Sequence, residues 1–138
     1  MDPLSISTTC LSLIETITKL SFLVSGFVRD VRAARSDLDA VSRELLSLKT
    51  VLELIADDVA GPNSELFPET LKNQIAGIAT NCSGVVTEIE QTLNKHESGR
   101  LGKAAQWVMS GKDDVAKLRL SLEAHKSALD IALDMVSL

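Results

Sequence analysis

The stretch Ser36–Val59, SDLDAVSRELLSLKTVLELIADDV, decides the fold. Its apolar residues Leu38, Val41, Leu45, Leu48, Leu52, Ile55 and Val59 are separated by alternating steps of three and four. That spacing puts them on one face of a helix and makes a coiled-coil-like seam, which other helices have to cover. Ser36 and Asp39 have the spacing of a capping box at its start. Gly61-Pro62-Asn63 ends it in a loop.

Three further helices of the same kind flank this one. The first starts at Asp2-Pro3, a capping residue followed by proline at the first helical position. Its stripe is Ile6, Cys10, Leu13, Ile17, Leu20, Val24, Val28 and Val31, and it is expected to end near Ala33 or Ala34. Pro68 opens the third, with the stripe Leu71, Ile75, Ile78, Cys82, Val85, Ile89 and Leu93. Gly77 and Gly84 lie inside it, weaken it by roughly 1 kcal/mol each relative to alanine, and are expected to allow close helix approach. Ser98-Gly99 ends it. A short helix is expected over Leu101–Met109, carrying Trp107. Ser110 and Asp113 then make a second capping box before a last helix with the stripe Val115, Leu118, Leu122, His125, Leu129, Ala132 and Val136. No stop signal precedes Leu138, so the natural protein is expected to continue, with this chain as its N-terminal domain. The fold class is therefore all-α: an antiparallel four-helix bundle with one extra short helix before the last long one.

Bulk composition agrees. The chain has 138 residues, enough for one domain with its own core. Aromatic residues make up 3%, with no Tyr and one Trp, against the enrichment expected of strands. The net charge of −5 makes nucleic acid an improbable partner. The balance is uneven, however: Gly99–Lys126 carries 6 basic residues against 3 acidic ones. The plainest reading of that basic stretch is a solvated helix face.

Residues able to support catalysis are scarce. His96 and His125 are far apart and have no motif around them, and His125 falls on a core stripe, as a buried, hydrogen-bonded histidine would. Gly99-Arg100-Leu101-Gly102-Lys103 lacks the spacing and the preceding strand of a phosphate loop. Asp57-Asp58 and Asp113-Asp114 sit at helix ends, the second pair where the helix dipole favours acids. No metal-ligand spacing is present, no cofactor is implied, and the expectation is a protein that is not an enzyme. Cys10 and Cys82 fall on apolar stripes as buried free thiols. Asn81-Cys82-Ser83 matches a glycosylation sequon by chance, on the core side of a helix.

The first helix is different in kind. From Leu4 to Val28 there are 25 residues, nine of them Ser or Thr, and only two charges, Glu15 and Lys19. Those two are spaced i, i+4 with the acid first, so they can pair on the helix surface. Such a helix reaches about 37 Å, more than a hydrocarbon core of about 30 Å. It is either the most buried helix of a bundle or a segment able to enter a bilayer. Composition favours the first, because the Ser/Thr content makes a poor permanent span. Asp2 in place of a basic region, and Glu15 and Lys19 within the apolar run, argue against a signal peptide.

Three stretches carry a resemblance: Met1-Asp2-Pro3-Leu4-Ser5-Ile6, Asp37-Leu38-Asp39-Ala40-Val41-Ser42-Arg43-Glu44-Leu45, and the block from Gly102-Lys103-Ala104-Ala105-Gln106-Trp107 through Leu122-Glu123-Ala124-His125-Lys126-Ser127-Ala128-Leu129. With them the chain, over essentially its whole length, resembles the HeLo-like N-terminal domains of fungal NOD-like receptors (STAND proteins). Such domains are similar to the N-terminal bundle of the mixed-lineage kinase-like necroptosis executioner and to plant coiled-coil receptor domains. The resemblance implies a cytoplasmic bundle that moves to the plasma membrane and executes programmed cell death, as in heterokaryon incompatibility and innate immunity. A NOD-like receptor or amyloid-signalling module would cluster it. Self-association would then bring it onto anionic membrane lipids, which it permeabilises through its N-terminal helix.

Carried over by position, the inserting residues would be Leu4, Ile6, Leu11, Leu13, Ile14, Glu15, Ile17, Leu20, Phe22, Leu23, Val24, Phe27 and Val28. Glu15 is the one acid placed to line a channel. Arg100, Lys103, Lys112, Lys117 and Arg119 would meet lipid headgroups, each contributing up to about 1 kcal/mol. The competing reading is a non-lytic interaction bundle that recruits a separate effector.

Overall fold

The structure is a computed structural model and describes residues 3–60, 68–97 and 107–137. Four long helices account for nearly all of them: α1 (Pro3–Asp30), α2 (Arg35–Ala60), α3 (Glu69–Glu97) and α4 (Lys112–Ser137). A 3-10 turn at Arg32–Ala34 joins α1 to α2, and a π-helical turn at Trp107–Gly111 precedes α4. No strand occurs among the described residues. The protein is an all-α helical bundle, as the stripes predict.

The α2 seam is buried along its whole length, from Leu38 to Val59. The helices packed on one another are α1 with α2, α1 with α3, α2 with α4 and α3 with α4, which leaves α2 and α3 on a diagonal. Val24 and Val28 line one groove with Asp39 and Ser42, so α1 and α2 run antiparallel. Glu44 pairs with Lys126, and Thr50 lies beside Asp130, so α2 and α4 run parallel. The backbone from Ala60 to Glu69 spans at most about 30 Å, less than the length of about 43 Å of the 29-residue α3. α3 therefore starts at the end of the bundle where α2 finishes, parallel to α1 and antiparallel to α4.

Several local expectations give way to packing. α1 ends at Asp30, before Ala33, because Val31 leaves the helical region at φ −126°, ψ 87°. The chain enters α2 directly from the 3-10 turn, so Ser36 lies inside the first turn of α2 rather than at a cap with Asp39. Phe27 fills the core position assigned to Val28, which is only half-buried, since the stripe drifts by one residue near the end of α1. Gly77 and Gly84 are exposed, and a Cβ at either would meet nothing within 4 Å, so they allow no close approach. Asn81 of the sequon is likewise exposed, and only Cys82 faces the core. Of the short helix expected over Leu101–Met109, residues 101–106 lie outside the described residues. Trp107–Met109 belong to the π turn, which also takes Ser110 away from any cap. His125 is half-buried rather than a core residue, because α4 buries only a narrow seam of Val115, Leu122, Leu129 and Ala132.

One end of the bundle is closed by aromatic packing. Trp107 is 1% exposed, and its ring lies 5.4 Å from that of Phe27 at a 56° tilt. Such a pair contributes about 0.5–1.5 kcal/mol beyond the area it buries. Midway along, Glu44 Oε2 and Lys126 Nζ meet at 3.1 Å with little solvent access and tie α2 to α4.

Two stability predictions follow from this packing. Gly77→Ala and Gly84→Ala are each expected to raise the unfolding free energy by up to about 1 kcal/mol, because both lie in helix interiors with room for a methyl group. Trp107→Ala is expected to lower it by about 3–5 kcal/mol. Chemical denaturation followed by circular dichroism measures all three.

Candidate functional site

α1 carries the residues singled out by the sequence, and the bundle divides them between two faces. Ile6, Leu13, Ile17, Leu20, Val24 and Phe27 are buried with Cys10 against α2 and α3. Leu11 and Phe22 point outward, 57% and 76% exposed, and Ile14, Leu23 and Val28 lie half-buried between the two faces. Leu4 is within α1, but its side chain lies outside the described residues. The helix is thus not the most buried of the four. α3 buries a wider face, with Ala76, Ala79 and Val86 beside its main stripe. Ile6–Asp30 is long and apolar enough to cross a membrane by length and composition, yet only 28% of its most apolar part is buried.

Several polar groups of α1 are satisfied within the helix. Glu15 Oε1 and Lys19 Nζ pair at 3.4 Å on the exposed face, as their spacing predicts. The Thr16 hydroxyl donates to the Ser12 carbonyl at 3.1 Å, Thr18 to Ile14 at 3.0 Å and Ser21 to Ile17 at 2.9 Å. A hydroxyl bonded to its own backbone no longer depends on water, so it costs less to place in an apolar medium.

Cys10 and Cys82 lie at the boundary between α1 and α3, next to a cleft lined by Thr8, Thr9, Ser12 and Leu13 of α1 and Thr80 and Ser83 of α3. Both are free and fully buried. Burial pushes the Cys10 thiol up to about 11. It pushes Cys82 up to about 12, with repulsion from Cys10 adding to the effect. These are inert core thiols, as expected from their stripes.

Three of the five headgroup candidates, Lys112, Lys117 and Arg119, are among the described residues. Arg100 and Lys103 lie outside the described residues. Lys112 and Lys117 are exposed, but five residues of helix turn them about 140° apart. Arg119 pairs with Glu123 at 3.7 Å. The structure instead gathers a basic set that the sequence reading passed over. Arg29, Arg32 and Arg35 line a groove of about 820 Å³ at the α1–α2 corner, and Arg32, Arg35 and Arg43 line an adjoining one of about 580 Å³. The signal was the three-residue spacing of Arg29, Arg32 and Arg35. It was hidden by the intervening Asp30 and by attention to the basic balance of Gly99–Lys126.

Among the described residues there is no group of His, Cys, Asp and Glu able to hold a metal ion. A family model described as pigment biosynthesis cluster protein PigL N-terminal matches residues 1–138. The chain belongs to that family. No curated protein and no solved structure matches it. Membership of the PigL N-terminal family thus joins the helical bundle as the firm frame for any functional reading.

The thiols give two testable consequences. An unfolded thiol titrates near 9.0 and the folded ones near 11 and 12, so between those values the unfolded state binds fewer protons. Their contribution to stability is complete below pH 9 and is lost as pH rises toward 12. Denaturation midpoints should fall over that range, and less steeply in Cys10→Ala. Below pH 9 an aromatic disulfide reagent should label neither thiol until denaturant is added.

Proposed function

We propose that the chain is a membrane-targeting cell-death effector domain, a HeLo-like member of the PigL N-terminal family. On activation it oligomerises and permeabilises membranes through α1. It acts by binding and insertion, without enzymatic chemistry. It rests in the cytoplasm and moves to the plasma membrane, where anionic lipids, further copies of itself and a NOD-like receptor or amyloid-signalling module are its partners.

One observation carries this reading: α1 is a membrane-length helix that presents apolar side chains outward as well as inward. Leu46 and Leu54 of α2 and Leu120, Ile131 and Met135 of α4 are exposed as well, so what sets α1 apart is its membrane length with only two charges inside the apolar run. Self-bonding of the Thr16, Thr18 and Ser21 hydroxyls lowers, for those three, the compositional objection to insertion. The exposed Glu15–Lys19 pair is the remaining charge, and oligomerisation that shields it, or places Glu15 on an aqueous lumen, removes that cost.

The energetic obstacle is the inner face. Releasing α1 exposes its own seam and the α2 and α3 surfaces it covers, so contacts between copies and lipid burial have to offset several kcal/mol. Spontaneous release at rest is therefore rare, which suits a domain that acts only when clustered.

Charge insertion on the outer face separates this proposal from a non-lytic adaptor bundle. Leu13→Glu would disrupt the core, since Leu13 is 2% exposed, whereas Phe22→Glu leaves it untouched. Forced oligomers of the wild-type domain should release dye from anionic liposomes. Phe22→Glu, with an unchanged denaturation curve, should cut release by about tenfold or more, since a charge at bilayer depth costs about 2.5–3.5 kcal/mol. Absence of leakage from wild-type oligomers favours the adaptor, and full leakage by Phe22→Glu overturns insertion through α1.

A further inference from the structure

The corner between α1 and α2 concentrates positive charge in an acidic protein. Arg29 lies in the last turn of α1, Arg32 opens the 3-10 turn, and Arg35 opens α2. Arg43 stands two turns further along α2 and reaches the second of the two grooves, which shares Arg32 and Arg35 with the first. All four side chains are exposed, and none is in an ion pair among the described residues. Asp39 is the one carboxylate lining both grooves, so the lining carries four positive charges against one negative. Asp30 and Asp37 are close in sequence but line neither groove.

Unpaired guanidinium groups, three around each of two adjoining grooves, repel one another within a screening length of about 8 Å. Each presents a planar fork of donors suited to phosphate oxygens. Ser42 adds a hydroxyl to the same wall. A single phosphate would engage one or two of these forks and leave the rest in repulsion. Two adjoining grooves sharing their central arginines fit a ligand whose phosphates are themselves adjoining. Nucleic acid fits poorly. No aromatic ring lines the grooves for base stacking, and the net charge of −5 opposes a long polyanion.

We propose that the folded domain binds a multiply phosphorylated anion in the arginine-lined groove formed by Arg29, Arg32, Arg35 and Arg43. The ligand is either a soluble polyphosphorylated molecule or the headgroup of a polyphosphorylated lipid. The site belongs to the resting bundle and does not depend on release of α1 or on leakage. Its residues are different from the headgroup candidates Arg100, Lys103, Lys112, Lys117 and Arg119.

The test uses the 138-residue chain. Tripolyphosphate is titrated calorimetrically in low salt, and vesicles of phosphatidylcholine with phosphatidylinositol bisphosphate are compared in co-sedimentation with charge-matched phosphatidylserine vesicles. Saturable binding of tripolyphosphate is expected, weakened about tenfold or more in Arg32→Gln/Arg35→Gln and by added salt, and kept within about twofold in Lys112→Gln/Lys117→Gln. A preference for the bisphosphate vesicles, lost in the same arginine variant, assigns the ligand to a lipid headgroup. Tripolyphosphate binding without that preference assigns it to a soluble anion. Arg29→Gln/Arg43→Gln replaces the first variant should circular dichroism show that one misfolded. Failure of both probes to bind saturably, or equal binding by the folded arginine variant, overturns the proposal.

Discussion

The break at Val31 sets the arrangement of the rest. One residue leaves the helical region while its N–H still donates to the Phe27 carbonyl at 2.8 Å, and its own carbonyl accepts from Ala34 at 3.0 Å. The chain thus reverses with almost no loop. Phe27, Val31 and Ala34 are all turned inward and fully buried, so the corner is part of the core rather than an attachment to it. A reversal this tight fixes α1 antiparallel to α2 and leaves no freedom in their register. Trp107 then closes over Phe27 from the far side of the chain, and the same end of the bundle is sealed twice.

What turns inward at the corner decides what turns outward. With Phe27, Val31 and Ala34 in the core, Arg29, Arg32 and Arg35 have only the solvent side left, and the three-residue spacing that separates them becomes a shared rim. The same logic runs up α1. Its inner seam is taken by α2 and α3, so Leu11 and Phe22 are left on the solvent side, mostly exposed. A structural wall and an apolar outer surface thus coexist in one helix, and the basic rim lies at its C-terminal end.

The two features are separable in energy. Binding an anion at the rim relieves repulsion among arginines and leaves every buried contact in place, so it stabilises the resting bundle by mass action. Inserting α1 requires the seam to open against the burial of seven side chains between Ile6 and Phe27. A ligand that favours the closed corner would oppose release of the helix it borders, since an equilibrium shifts only through differential affinity for its two states.

By itself the sequence determined the helices, their stripes, the free core thiols and the Glu15–Lys19 pair, because each depends on the helical repeat or on spacings of three and four residues. Helix ends were less legible: Ser36 and Ser110 have the composition of caps, but the tight turns before α2 and α4 supply the first backbone partners instead. Only the tertiary structure decided which helix is buried most, that His125 and Val28 sit at the edge of the core, and that Gly77 and Gly84 face open solvent. Periodicity shows that a helix has an apolar face, but not how much of its circumference the neighbours cover. Tertiary packing alone also joined Arg29 of α1 to the α2 face that carries Arg35, because the groove they share exists only where the two helices meet.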